Sequence, residues 1–170
     1  MKIKLLTIGA IALFVSVDVY AADKVENNEN YIPVEHAQKN GIKKCLPAIK
    51  KISKFLLEDG KYGAHDYWNK NTPNDGGFSA TMERVYKDGS NILNFDVVHT
   101  KSGECFVSYE KIIFIKEKCA KALPRFKLKK KKATLVKSVL LYESENTSNY
   151  TMDTGQGCLI VRKEVIHNLK

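Results

Sequence analysis

The spacing of apolar residues changes once along this chain, from a helical period to an alternating one, and that change limits the folds open to it. Between residues 34 and 58 the apolar side chains Ile42, Cys45, Leu46, Ile49, Ile52, Phe55 and Leu56 recur at steps of three and four. Lys43, Lys44, Lys50, Lys51 and Lys54 fall largely on the opposite side. This spacing predicts a long amphipathic helix with one buried stripe. Pro33 suits its first turn, and Gly60, just after Glu58 and Asp59, suits its end. Pro47 lies within the pattern and removes one internal hydrogen bond, so a kink or a fresh start between Gly41 and Leu46 is expected.

After a connection rich in aromatics (Tyr62, Tyr67, Trp68), the period becomes two at about Phe78. Phe78, Ala80, Met82 and Tyr86 share one face of a first strand, residues 87–90 contain an Asp-Gly turn, and Leu93, Phe95 and Val97 alternate along a second. A turn at residues 100–103 leads to a third strand over 104–115, followed by a short helix over 116–123 that Pro124 ends. Two further strands, near 134–142 and 158–166, flank a polar loop. The expected class is α+β: one long amphipathic N-terminal helix packed on an antiparallel sheet of about five strands, with a short helix between strands three and four. In element order this resembles the helix-plus-sheet folds of small secretion chaperones and of some inhibitor and immunity proteins.

Residues 1–21 have the layout of a cleavable secretory signal. Lys2 and Lys4 precede an apolar run over residues 5–17, and small residues follow at Ala21 and Ala22. The run is shorter than the roughly 20 residues a bilayer span needs, so no transmembrane anchor is expected after cleavage. Residues 22–32 read as a polar, flexible lead-in, and residues 33–170 as a single globular domain. Loss of Lys2, Lys4 and Asp18 from 28 basic and 19 acidic residues leaves a mature net charge of +8. The expected location is periplasmic or secreted.

Cys45, Cys105, Cys119 and Cys158 then read as two disulfides. An extended strand of ten residues carries its ends roughly 33 Å apart, so a Cys105–Cys119 bridge is disfavoured. Cys45 is left to pair with Cys105 or with Cys119, and Cys158 with the other. The cysteines include no close ligand pair, so no zinc or other metal site is expected.

Catalytic signatures are scarce, and no cofactor motif stands up. Residues 71–76 resemble the start of a calcium loop, but Pro73 replaces an oxygen ligand and Met82 occupies the glutamate position. Gly155-Gln156-Gly157 lacks the third glycine of a dinucleotide loop. Both read as turns. Among the histidines (His36, His65, His99, His167), His65 has the best neighbours: Asp66 beside it and the aromatic Tyr67 and Trp68, which could line a groove. A cell-envelope hydrolase using His65 and Asp66 is therefore the alternative expectation. Asp96 and His99 are an odd number of positions apart and should face opposite ways. Asn146 and Asn149 each begin an Asn-x-Ser/Thr triplet, which matters only on a route that glycosylates.

The densest local feature is basic. Arg125, Lys127, Lys129, Lys130, Lys131 and Lys132 place six positive charges in eight residues, enough to attract polyanions. The run lacks the interleaved aromatics of a base-stacking surface, and no nucleic-acid partner is expected. The expectation is a non-enzymatic binding protein, of inhibitor, immunity or secretion-accessory type, engaging a protein or an anionic envelope component.

Overall fold

The computed structural model describes residues 20–21, 31–57, 60–87, 89–128, 131–135, 137–144, 146–167 and 169. Most of the signal segment and of the lead-in, together with Lys129 and Lys130, lies outside the described residues. In chain order the elements are β1 (Tyr20–Ala21), α1 (Ile32–Lys39), α2 (Leu46–Leu57), β2 (Tyr62–Trp68), β3 (Gly77–Tyr86), β4 (Gly89–His99) and β5 (Cys105–Ile115). Then follow α3 (Cys119–Ala122) with a 3-10 turn at Leu123–Phe126, β6 (Lys131–Thr134), β7 (Leu140–Ser144), β8 (Thr147–Asp153) and β9 (Cys158–Ile166).

The expected long helix on a five-stranded sheet is corrected on both counts. The protein is mainly one antiparallel sheet in the order β1-β2-β3-β4-β5-β9-β8-β7-β6, in which seven strands of five to eleven residues are flanked by the short β1 and β6. The helices are short, the longest having 12 residues. The N-terminal helix divides because Gly41 (φ 72°) and Cys45 (φ 59°) both take left-handed backbone. Pro47 becomes the second residue of α2, where its missing N–H costs nothing. Asn74 holds the break from outside: its Oδ1 accepts the backbone N–H groups of Lys43 (2.7 Å) and Lys44 (2.9 Å), and its Nδ2 donates to the Gly41 carbonyl. At the far end of α2 the buried Arg84 donates to the Leu56 carbonyl at 3.1 Å, satisfying one of the orphan acceptors of a helix terminus.

Three strands are absent from the sequence expectation, the two-residue β1 among them. β2 hides in the aromatic connection because one of its inward positions is Asp66. β8 hides in the polar loop because its inward positions are Thr147, Asn149 and Thr151, all buried, while Tyr150 and Met152 face outward. The expected strand near 134–142 is instead a hairpin made of β6 and β7.

The sheet consists of two four-stranded meanders, β2–β5 and β6–β9, joined where β9 pairs with β5. All three helices lie on one face. Ile49, Ile52, Leu56 and Leu57 of α2 fill the main core against Met82, Leu93, Phe95, Val97 and Val107, each large side chain contributing roughly 1.5–3 kcal/mol. A smaller core lies under α3, formed by Cys119, Ala122, Cys158 and Ile160. The other face carries an apolar cross-strand row, Ile92–Ile112–Val161–Tyr150–Leu141, which is partly exposed.

Disulfides Cys45–Cys105 and Cys119–Cys158 staple the covers to the sheet, one of the two pairings left open by strand geometry. The first joins the start of α2 to the start of β5; the second joins α3 to the start of β9.

Replacing Cys119 and Cys158 together by alanine should cost about 4 kcal/mol in the chain-entropy picture, given the 39-residue separation. A urea midpoint unchanged from the oxidised parent would contradict that linkage. Gly157→Ala should also destabilise, by about 2 kcal/mol or more, because an added Cβ would sit 2.4 Å from the Ile115 carbonyl and 2.6 Å from the Phe114 ring. The same denaturation curve tests it, and a parent-like midpoint would mean that β9 does not approach β5 this closely.

Candidate functional site

The two disulfides attach their helices to opposite ends of the β5–β9 ladder, because these strands run antiparallel and Cys105 and Cys158 each begin one of them. The middle of the ladder is left without a helical lid. One cross-strand row runs there through Leu93, Lys111, Arg162, Asn149 and Tyr142, and the register continues to Lys131. The row is apolar where α2 covers it and polar beyond. Lys111 and Arg162 are direct partners in the ladder, and like charges in that position repel.

Above this floor is a cavity of about 420 Å³, walled by Tyr86 and Asn91 on one side and by Phe126 and Lys127 on the other. Arg162 is exposed to it and has no carboxylate partner among the described residues. The Lys111 ammonium lies 5.5 Å from the Phe55 ring centroid, a cation–π distance that steadies the side chain. Asn149 is buried in the floor, which makes its Asn-x-Thr triplet part of the cleft. Glu143 also lines the cavity, leaving three cationic side chains against one carboxylate. A site of this shape and charge can hold an anionic group by electrostatics and charge-assisted hydrogen bonds.

Of the basic run, Lys127 lines the same cleft. Arg125 is engaged by Glu117 at 2.9 Å. Lys127 takes left-handed backbone (φ 50°) as the 3-10 turn ends, and lines the cavity. Lys131 and Lys132 belong to the edge strand β6.

The His65–Asp66 pair is separated by strand alternation. Asp66 points to the helix side, where its Oδ2 meets His36 Nδ1 at 2.5 Å. His65 lies on the other face against Tyr67, with ring centroids 4.5 Å apart. Trp68 stacks near Phe78. The structure therefore unites Asp66 with His36, a partner 30 residues away that no local motif indicates. The Asp66 side chain is fully buried and its Oδ1 has no hydrogen-bond partner among the described residues. Burial raises its carboxyl above the ordinary carboxylate range, while the bond to His36 opposes the rise. Asp96 and His99 do face opposite ways, Asp96 accepting a hydrogen bond from Ser108 on the outer face. The calcium-like segment is a turn in which Asn69 Oδ1 accepts the N–H groups of Asn71 and Thr72. No group of three or more His, Cys, Asp or Glu able to hold a metal occurs among the described residues.

Lys111 and Arg162 were not singled out in the sequence. A lysine and an arginine in separate strands carry no signal until the register sets them opposite one another. No family model matches the chain, and comparisons with curated proteins and with solved structures find no match.

Because Asp66 holds its proton more tightly in the native state than at the ordinary value of 3.8, the native protein binds more protons across that interval. Its contribution to stability is complete below about 3.8 and falls as pH rises through the raised native value. Asp66→Asn should remove this fall, flattening the acid side of a plot of unfolding free energy against pH. An unchanged slope in the variant would show that another group carries it.

Proposed function

We propose that this is a non-enzymatic binding protein of the periplasm or the secreted space, whose cleft and basic rim engage an anionic partner. The observation that carries the reading is the exposed Arg162 on the floor of an open cavity that Lys111 and Lys127 also line. An anion seated there would meet Arg162 and Lys127 with charge-assisted hydrogen bonds. Lys127 adds a positive charge to the cavity wall, and the chain's net charge of +9 favours the approach of an anion. Two disulfides fit an oxidising compartment, and no helix among the described residues is long and apolar enough to cross a membrane. The short leader-like segment at residues 1–21 supports export.

Calorimetric titration of the oxidised protein with poly-glutamate, at low and high salt, tests the proposal. Binding should weaken as salt rises. Arg162→Gln should weaken it roughly tenfold at low salt, the effect of losing one charge-assisted hydrogen bond. A fourfold Lys-to-Gln variant at Lys129, Lys130, Lys131 and Lys132 should lose less, because none of the four is among the residues that line the cavity. Wild-type affinity in Arg162→Gln, or salt-independent binding, would overturn the assignment.

A further inference from the structure

Asn149 has an unmet need in the cavity floor. It is 4% exposed and lines the cavity, yet its carboxamide makes no hydrogen bond among the described residues. Buried polar side chains are nearly always paired, so this one is set to bond to something that enters. Its direct ladder partner on β9 is Arg162, exposed to the same space and without a carboxylate partner among the described residues. The floor thus offers a guanidinium fork, which only donates, beside an amide, which both donates and accepts. Tyr86, Ile113, Phe126 and Leu128 supply apolar walls. Tyr86, Ile113 and Phe126, with Asn91, also line an adjoining hollow of about 690 Å³, so a chain lying along the second space can end in the first.

We infer that the cavity binds the C-terminal end of a peptide, with its carboxylate on Arg162, its last amide on Asn149 and an apolar last side chain between Tyr86, Phe126 and Leu128. The inference rests on reading the cleft as an anion site, and adds which anion it takes. A peptide terminus carries its amide and its carboxylate on either side of one Cα, a spacing that suits side chains on adjacent strands. The carboxylate matches the guanidinium fork, and the amide N–H matches the Asn149 oxygen. A fully ionised phosphate presents only acceptors and leaves that oxygen unpaired. A glutamate side chain carries its carboxylate farther from the nearest amide. Lys127 on the wall adds positive charge without fixing orientation.

The test titrates the oxidised full chain with acetyl-Ala-Ala-Ala-Phe as the free acid. Beside it stand the C-terminal amide, the analogue ending in glycine, acetyl-phenylalanine, and the depsipeptide in which oxygen replaces the last N–H. The acid should bind roughly tenfold more tightly than the amide, and Arg162→Gln should abolish that preference. The depsipeptide should bind roughly tenfold more weakly than the peptide, and Asn149→Leu should bring the two level. If that variant misfolds, the two ligands compared on the native protein read the same bond. Glycine in the last position should weaken binding by about tenfold, the effect of leaving one aromatic side chain unburied. Equal affinity for acid and amide, with poly-glutamate still held through Arg162, would overturn the peptide terminus and leave the anion site standing. A depsipeptide as tight as the peptide would overturn the role of Asn149. Acetyl-phenylalanine as tight as the tetrapeptide would overturn a peptide in favour of a small acylated amino acid. No binding by any of these ligands or by poly-glutamate would overturn both readings.

Discussion

Pairing of β5 with β9 is the contact on which the rest of the molecule depends, since it joins two meanders that otherwise share no strand. Each meander can form by local hairpin closure, at small entropic cost. The β5–β9 ladder instead joins segments from the two halves of the chain and has to form against a longer closure. Both disulfides attach to it, one at each end, so oxidation and sheet pairing restrain the same geometry. The cleft follows from this arrangement. Two short helical covers, each tied to its own end of one ladder, cannot also meet over its middle.

The central floor is thus the stretch where the covered face stops being apolar. Continued apolar residues at the positions of Lys111, Arg162 and Asn149 would prolong the core under α2 across the sheet. The chain instead places two cations and an amide there, and draws its stability from the packed stripe of Ile49, Ile52 and Leu56 and from the cysteine staples. The outer face has the reverse composition on β8, where Tyr150 and Met152 point away from the helices and Thr147, Asn149 and Thr151 point toward them. That inversion locates the site: the covered face turns polar where its cover ends.

Legibility in the sequence followed the burial pattern. The stripe from Ile42 to Leu56 and the alternation of Leu93, Phe95 and Val97 were readable because the helix side of the N-terminal meander is apolar and its other side is mixed. Asp66 broke the alternation of β2, and what explains a carboxylate at that inward position is His36 on α1. β8 was unreadable for the opposite reason, having polar residues inside. The single long helix failed at Gly41 and Cys45, where left-handed backbone held by Asn74 outweighs a continuous apolar stripe.

By itself the sequence determined the first hairpins, a two-disulfide scheme with one pairing excluded, and the strongly basic segment, because each depends on residues near one another or on chain reach. Tertiary structure alone decided the full sheet, the division of the helix, the union of His36 with Asp66, and the opposition of Lys111 and Arg162. These last depend on register between distant strands and on which stretch of a face the short helices leave open. Neither quantity is carried by any local run of residues.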